Sequence, residues 1–225
     1  MNYLWIQSIQ AREELVLPPE AHQHVRALRL RLNDPLVLFD GLGNQCAAQI
    51  AYHDRKQTKL NVDPSSYIFK KPLHGLRLVL GVPKFSTLEF IIQKATELGV
   101  SAIVLLPMEH TPVAINQSVW EKKKVRWEKI MIAACEQSQQ VHIPKLLFQT
   151  VDDYLKEDVV RYVFTQHAEK RVGQLLAPCD VIVGPEGGFS DFELSNFGQQ
   201  FKLCEGTLRT DTAAIAAVLA FNIGC

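Results

Sequence analysis

The chain has 225 residues, of which 47% are hydrophobic and 21% charged, and its 24 basic side chains balance 24 acidic ones. This composition is typical of a globular protein with one large domain or two smaller ones, and the zero net charge leaves only a local basic patch as a way to attract nucleic acid. All apolar runs are too short to span a membrane and no signal peptide is recognisable, so we expect a cytoplasmic protein.

The cysteines give no sign of a stabilising framework. They are odd in number and scattered without C-x-x-C or Cys/His spacing, at Cys46, Cys135, Cys179, Cys204 and Cys225. We therefore predict neither a disulfide framework nor a structural zinc site, and no metal.

Residues 1–72 are rich in turns and contain alternating apolar runs. Within PLVLFDGLGNQCAAQIAYH, the pairs Asp40-Gly41 and Gly43-Asn44 predict a hairpin between two strands. The pattern indicates a small β domain. Its nine Lys and Arg exceed seven Asp and Glu, a mild basic excess.

After the polar segment KKPLHG at residues 70–75, where we place the domain boundary, strands alternate with helices. LRLVLGV and VSAIVLLP are typical of buried strands, and the helix STLEFIIQKATELG between them is predicted to end at Gly99. The strands VVRYVFT and DVIVG and a small-residue helix, TAAIAAVLAFNIG, follow. The alternation predicts an α/β domain with a parallel sheet over residues 73–225.

Two helices of this domain begin with the spacing of a capping box, in which a hydroxyl and a carboxylate satisfy the free amides of the first turn. Ser86 and Glu89 have this spacing in the first helix. Ser118 and Glu121 have it at the start of a longer helix that runs through about Glu136.

The stretch VIVGPEGGFSDFE, residues 181–193, predicts a strand, a corner almost without side chains, and a helix start. Ser190 and Glu193 form a third predicted capping box. So bare a corner lets another group approach the main chain closely. The alternative is a tight connection between strand and helix with no ligand.

Ligands of open α/β sheets bind beyond the carboxyl ends of the strands, and three loops qualify. They are TQHAE at 165–169, GPEGG at 184–188 and CEGTLRTDTA at 204–213. The last one places Arg209 with Thr210 and Thr212 at the start of the final helix, although the two threonines could simply cap that helix beside a surface arginine. None of the loops matches a dinucleotide or P-loop motif, which argues against a nucleoside triphosphate.

GPEGGFSDFE, followed about twenty residues later by LRTDTA and a small-residue helix, resembles the RsmE family of ribosomal RNA uridine methyltransferases. QKATELGV at 93–100, RWEKIMIAACEQS at 126–138 and AHQHVRALRLRLND at 21–34 resemble segments of that family in the same order. The resemblance implies a PUA-like β-barrel RNA-binding domain over residues 1–72 and a SPOUT-type methyltransferase domain over 73–225. It also implies a trefoil knot in the second domain and a homodimer.

The resemblance further implies S-adenosyl-L-methionine as cofactor, held by the three loops, with Leu203 and Leu208 beside the adenine. The residues assigned to the cofactor are Thr165, Gln166, His167, Gly184, Pro185, Glu186, Gly187, Gly188, Leu203, Cys204, Leu208, Arg209, Thr210 and Thr212.

The implied substrate is ring nitrogen N3 of a uridine in small-subunit (16S) ribosomal RNA. That nitrogen is normally hidden in a base pair and protonated, so the enzyme must expose the base and assist loss of its proton. Glu186 could orient or deprotonate the base, and Arg209 could stabilise the uracil anion. The alternative for Glu186 is that it braces its loop by accepting hydrogen bonds from backbone amides. Neither a metal nor a covalent intermediate is needed.

For RNA, Arg26, Arg29 and Arg31 lie within six residues and resemble the basic segment of the family's barrel domain. The alternative is a solvated edge. The basic run EKKKVRWEK at 121–129 is more typical of an exposed helix face than of a nucleic-acid surface.

Four residues of the last loop depart from the family pattern: Cys204, Gly206, Thr207 and Asp211 stand where the family has glycine, arginine, isoleucine and glutamate. The start of the chain also lacks an arginine that is usual there. Two alternatives therefore remain open. One is an RNA-binding paralogue with weakened catalysis, and the other is an active SPOUT methyltransferase with a different RNA target.

Overall fold

The computed structural model of the protein describes residues 1–9, 13–72 and 75–224. They form two compact units: unit 1 comprises Met1–Pro72 with Ile132–Ile143, and unit 2 comprises Leu73–Met131 with Pro144–Cys225. Leu73 and His74 of the predicted linker lie outside the described residues, as does Cys225. Each unit is described by itself below.

Unit 1 is built on a mainly antiparallel sheet. Its elements are β1 (Asn2–Trp5), β2 (Glu14–Val16), α1 (Pro19–Ala27), β3 (Pro35–Phe39), β4 (Asn44–His53), β5 (Thr58–Val62), a 3-10 turn (Pro64–Ser66) and β6 (Ile68–Phe69). The sheet order is β1-β3-β4-β5-β2, with β6 paired to β4, and β1 and β3 are parallel. Alternate residues of the strands bury against α1, because side chains of a strand point to opposite faces.

The predicted hairpin is confirmed: β3 and β4 pair antiparallel across the Asp40–Gly43 turn. Gly41 and Gly43 have φ of 79° and 104°, a backbone region that glycine enters without a steric penalty. The Asp40 carboxylate accepts hydrogen bonds from Leu42 N–H and Asn44 N–H. The turn residues thus fix the register of the two strands.

Residues 132–143 follow the predicted boundary in sequence but belong to unit 1. Cys135 and Val141 are buried against Phe39, and Glu136 accepts a hydrogen bond of 3.0 Å from Trp5 N–H. Burial raises the pKa of the Glu136 carboxyl and that of the Cys135 thiol, the latter to about 12. This segment therefore packs against β1 and β3 of the N-terminal sheet.

Unit 2 is an α/β layer structure, as predicted. Its elements are β7 (Leu76–Gly81), α2 (Phe85–Glu97), β8 (Ala102–Leu106), α3 (Gln117–Ser138, whose last residues from Ile132 count with unit 1), β9 (Lys145–Phe148), α4 (Val151–Leu155), β10 (Arg161–Phe164), β11 (Cys179–Val183), α5 (Asp191–Asn196), β12 (Gln199–Phe201) and α6 (Thr210–Gly224). Gly99, with φ of 79°, follows the C-cap of α2, as predicted for the end of that helix.

The strands of unit 2 run in the order β12-β10-β11-β7-β8-β9, and all neighbouring pairs are parallel. Every residue of β8 and β11 is buried, which explains why these strands are almost continuous apolar runs. Helix α6 packs against α2, β7 and β11. All six strands therefore present their carboxyl ends at one edge of the sheet, where ligands of such folds bind.

Of the three predicted capping boxes, the one at Ser190 and Glu193 is confirmed. The Ser190 hydroxyl accepts from Glu193 N–H, and the Glu193 carboxylate accepts from Ser190 N–H. This box starts α5 directly after the glycine corner.

The capping boxes predicted at Ser86 and Ser118 are wrong. Helix α2 begins after Lys84 without a side-chain cap, and Glu89 instead pairs with Arg126 of α3 at 2.6 Å. Helix α3 is capped two residues earlier than predicted, by the Asn116 side chain, which accepts from Val119 N–H. Capping-box spacing is short and common, so a tertiary ion pair or an earlier polar residue can override it.

Candidate active site

A cavity of about 460 Å³ lies in unit 2 at the carboxyl ends of β10 and β11. The loops after β10, β11 and β12 line it, together with the first turn of α6. Thirteen of the fourteen residues predicted to hold a cofactor lie in this lining, from Thr165–His167, Gly184–Gly188, Leu203, Cys204 and Leu208–Thr210. The structure thus brings three loops that are distant in sequence to one site.

Thr212 is the exception: it is exposed and lies outside the lining. Thr210, Asp211 and Ala213 of the same helix do line the cavity. Successive residues of a helix are about 100° apart, so that Thr212 points away from the side that the other three share. The role of Thr212 at the cofactor therefore stays a prediction that the lining of this cavity does not support.

Sequence reasoning missed nine lining residues. They are Thr87, Phe164, Val183, Phe189, Leu194, Gly206, Thr207, Asp211 and Ala213. Four of them, Gly206, Thr207, Asp211 and Ala213, lie inside the third predicted loop, and Phe164, Val183 and Phe189 flank the other two. Thr87 lies in the first turn of α2, after β7, and the rule that sites form at carboxyl strand ends could have found it.

The glycine corner is bare for two different reasons. At Gly187, a Cβ atom would lie 2.7 Å from the His110 Cβ and 2.9 Å from the His110 carbonyl oxygen, so the loop after β8 occupies that space. At Gly188, φ is 77° and the space beside the α-carbon is open. The first glycine therefore permits loop packing, and the second permits a left-handed turn at the cavity wall.

Glu193 anchors this corner to the loop after β8. Its carboxylate is buried, with the residue 3% exposed, and accepts hydrogen bonds from Ser190 N–H at 2.9 Å and Glu109 N–H at 2.8 Å. Sequence spacing indicated only the first of these bonds. Two charge-assisted hydrogen bonds to one buried carboxylate hold the cavity wall in a fixed position.

Glu186 and Arg209, the two predicted catalytic residues, both line the cavity. The Glu186 carboxylate accepts a hydrogen bond of 3.2 Å from Lys84 N–H, the bracing contact with a backbone amide that was the alternative for this residue. Arg209 is exposed, and its guanidinium has no partner within the ranges that the structure describes. Its carbonyl oxygen accepts from Ala213 N–H, so its backbone belongs to the start of α6.

Arg26, Arg29 and Arg31 are exposed in unit 1, and their guanidinium groups have no partner in the described part of the chain. Arg29 follows α1 with φ of 57°. Arg29 N–H and Leu30 N–H donate to the carbonyls of Arg26 and Val25, the two bonds of a Schellman motif. Arginine thus occupies a position at which glycine is usual.

The basic run on α3 is largely engaged within unit 2. Lys123 lies over the Phe85 ring at 4.9 Å, and Arg126 pairs with Glu89 at 2.6 Å. Lys124 lies 3.8 Å from Glu128. These contacts favour the interpretation of an exposed helix face over that of a nucleic-acid surface.

Two negative observations apply to residues 1–9, 13–72 and 75–224. Helices long and apolar enough to cross a membrane do not occur there. Groups of three His, Cys, Asp or Glu side chains that could hold a metal ion do not occur there either.

Comparison with known proteins defines the class of this fold and site. A family model described as an RNA methyltransferase domain matches residues 70–222. Ribosomal RNA small subunit methyltransferase E of Rickettsia conorii is 30% identical over 237 residues, which cover 96% of this chain and 93% of the relative. The enzyme of the same name from Buchnera aphidicola is 29% identical over 219 residues, covering 90% and 87%. The protein is an RNA methyltransferase.

Solved structures share this fold over at least 96% of the chain. The Neisseria gonorrhoeae ribosomal RNA small subunit methyltransferase E, bound to S-adenosyl methionine, superposes with a TM-score of 0.87 at 25% identity and covers 98% of this chain and 96% of its own. A Legionella pneumophila methyltransferase in complex with the same cofactor gives 0.83 at 30% identity, covering 96% and 95%. The chain belongs to the RsmE family. Unit 2 has the SPOUT-type fold, and unit 1 fits a PUA-like domain.

Proposed function

We propose that the protein transfers the methyl group of S-adenosyl-L-methionine to ring nitrogen N3 of a uridine in 16S ribosomal RNA. The observation that carries this proposal is the cavity at the carboxyl end of the sheet in a chain of the RsmE family. The guanidinium of Arg209, which has no partner among the described residues, lies at its wall. The reaction needs a site for the cofactor, which the cavity offers. It also needs a group that stabilises an anionic base, which Arg209 offers.

The lining residues fit the cofactor. Apolar side chains of Phe164, Val183, Leu203 and Leu208 offer an environment for adenine, and the main chain around Gly188 is open to polar groups. The volume of about 460 Å³ is typical of small-molecule sites. When bound, the cofactor supplies an activated methyl group on a sulfonium centre.

Arg209 serves the substrate in this proposal. Uracil gains negative charge as N3 loses its proton, and a guanidinium already in place stabilises that charge more than the neutral base. Because Arg209 has no partner in the described part of the chain, no internal ion pair must break before it meets the base. Glu186 is the proposed acceptor or orienter of the N3 proton, a role for which its contact with Lys84 N–H leaves the second carboxylate oxygen.

Unit 1 is the proposed RNA-binding domain, with Arg26, Arg29 and Arg31 on phosphates. A left-handed backbone costs a residue other than glycine roughly 1 kcal/mol, so an exposed arginine at Arg29 is kept at some expense of stability. Such strain is typical of functional positions.

Replacing each of the three arginines by alanine should weaken RNA binding in a filter assay and lower the slope of log affinity against log salt concentration by about one unit. Arg55→Ala, at another exposed arginine of unit 1, is the matched control and should change both quantities less. Equal effects of Arg55→Ala and Arg29→Ala would favour the solvated edge.

A homodimer is the proposed assembly. Leu219 and Ile223 are 37% and 82% exposed and lie four residues apart, so they share one face of α6. Phe90 of α2, the helix that packs against α6, is 44% exposed. An apolar surface of this kind suits a second copy of the chain. The trefoil knot remains a prediction from the family resemblance, and the cytoplasmic location remains a prediction from the sequence pattern.

The deciding experiment is mass spectrometry of ribosomal RNA nucleosides from cells with and without the gene. Loss of N3-methyluridine from 16S RNA is the expected result, and loss of another methylated nucleoside would indicate a different RNA target. Calorimetric titration of the purified protein with S-adenosyl-L-methionine addresses the other alternative. A paralogue with weakened catalysis should show no cofactor binding there while retaining RNA affinity.

A further inference from the structure

Two of the loops that line the cavity are connected along their length. Thr165 N–H donates to the Phe201 carbonyl at 3.0 Å, and Lys202 N–H donates to the Lys170 carbonyl at 2.8 Å. Arg171 also forms an ion pair with Glu205. We call residues 165–172 the first loop and 201–209 the second loop.

Nearer the cavity, a side-chain hydrogen bond joins the same two loops. The Thr207 hydroxyl donates to the Gln166 side-chain oxygen at 2.5 Å, and both residues line the cavity. This distance suits a hydroxyl donor to an oxygen and is too short for an amide N–H donor. The amide of Gln166 is therefore oriented with its oxygen towards Thr207 and its NH₂ group on the other side.

The orientation of Gln166 determines what His167 can do. The Gln166 nitrogen lies 3.1 Å from His167 Nε2, and an amide NH₂ can only donate. His167 Nε2 must then accept, so the proton of the neutral ring is on Nδ1. The Thr207–Gln166–His167 chain, which we call the polar bridge, thus selects one tautomer of a histidine in the cavity lining.

Thr207 supplies the hydroxyl that fixes the orientation of the Gln166 amide. We propose that Thr207 is a positioning residue that acts through Gln166: the polar bridge holds the two loops together over the bound cofactor, slows its release, and keeps the His167 Nδ1–H available as a donor to it. This inference rests on the proposed cofactor. Thr207 and Gln166 are exposed, so water competes with their hydrogen bond, and a bound molecule that excludes water strengthens it.

The test compares Thr207→Val, which keeps the shape but removes the hydroxyl, with Thr207→Ser, which keeps the hydroxyl. Stopped-flow measurement on the full chain should show that Thr207→Val releases S-adenosyl-L-methionine about threefold to tenfold faster, the range for loss of one neutral hydrogen bond. Thr207→Ser should release it within about twofold of the parent rate, a smaller change than one such bond produces. Gln166→Leu should release the cofactor at least as fast as Thr207→Val, because it also removes the bond to His167. The double variant should release it no faster than Gln166→Leu alone, since the Thr207 bond is already lost in that variant. Unchanged release from Thr207→Val, or full additivity, would overturn the proposal.

Two readouts do not depend on cofactor binding. Amide hydrogen exchange of residues 165–167 and 205–208 should be faster in Thr207→Val than in Thr207→Ser. The ¹⁵N spectrum of His167 should show the Nδ1–H tautomer in the parent and a mixture in Thr207→Val. If the parent protein binds no cofactor, the proposed function fails, and these readouts still decide whether the polar bridge exists. Identical exchange and spectra in both variants would mean that it does not.

Discussion

Charged side chains are paired at the amino end of the parallel sheet in unit 2, whereas at its carboxyl end Arg209 has no partner among the described residues. At the amino end, Arg77 donates to both oxygens of Asp180 at 2.6 Å and also pairs with Glu157 at 2.6 Å. The Tyr154 hydroxyl donates to Asp180 at 2.6 Å, and Tyr154 and Asp180 are both fully buried. Burial beside the Asp180 carboxylate raises the pKa of Tyr154, so that it remains a donor at all ordinary pH values.

At the carboxyl end, the loops have few side chains and Arg209 has no partner among the described residues. The backbone there is fixed from behind, by Glu193 and by the contact of Gly187 with His110, whereas the cavity side stays open. One sheet therefore carries a closed ion-pair network for stability and an open edge for chemistry. Substitutions at the two ends should separate stability from activity.

The largest effect is expected at the amino end. Asp180→Ala should lower the free energy of unfolding by about 3–5 kcal/mol, because it leaves the charge of Arg77 without its main partner inside the fold. Tyr154→Phe, which removes one hydrogen bond, should cost about 1–2 kcal/mol. Urea denaturation followed by circular dichroism measures both. Equal midpoints for Asp180→Ala and the parent would show that the network contributes nothing to stability.

The next effect is on activity alone. Arg209→Ala should lower single-turnover methylation of ribosomal RNA roughly a hundredfold or more, the scale of losing one charge-stabilising donor. The free energy of unfolding should stay within about 0.5 kcal/mol of the parent, since the guanidinium removed is exposed and has no partner in the part of the chain that the structure describes. Methylation at the parental rate would make Arg209 a surface residue and direct attention to Glu186 and the loop at 165–167.

A substitution in the glycine corner should affect both stability and cofactor binding. Gly187→Ala should destabilise the protein by about 1–3 kcal/mol, because the new methyl group overlaps with His110, and should weaken cofactor binding as the corner shifts. Gly173→Ala is the matched control, because nothing lies within 4 Å of a Cβ at that position and it is outside the cavity lining. Thermal unfolding and calorimetry give the two quantities. Equal melting temperatures for both variants would contradict the close packing at Gly187.

The smallest effect is a pH dependence of the amino end. Burial tends to raise the pKa of Glu157, but hydrogen bonds from Gln149 and Arg77 and nearby positive charge outweigh it, so the pKa lies below its usual value of 4.5. A carboxyl with a lowered native pKa stabilises the fold above its unfolded pKa, and this contribution is lost as the pH falls through the native value. Stability should therefore decline below about pH 4.5, with a shallower decline in Glu157→Gln. Parallel pH curves for the two proteins would exclude this role for Glu157.

Much of the fold could be predicted because it depends on neighbouring residues. Continuous apolar runs such as Ala102–Leu106 occur where a strand is buried on both faces, and Gly99 ends a helix because of its own backbone freedom. The Ser190 capping box needed only residues three apart. Where a distant partner competes, local spacing failed: Glu89 pairs with Arg126, thirty-seven positions away, rather than with its own helix start.

For the site, the sequence by itself determined the chemistry of the three loops, because bare glycines, an arginine and hydroxyls at strand ends are recognisable in one dimension. The tertiary structure alone decided which of these groups share a wall. In the structure, Thr212 lies outside the cavity lining, whereas Thr87 and Asp211 belong to it. Gly187 packs on His110, and Thr207 donates a hydrogen bond to Gln166. The physical reason is that side-chain direction and loop proximity depend on parallel strand pairing and helix rotation, which bring together residues far apart in the chain and leave no local pattern in it.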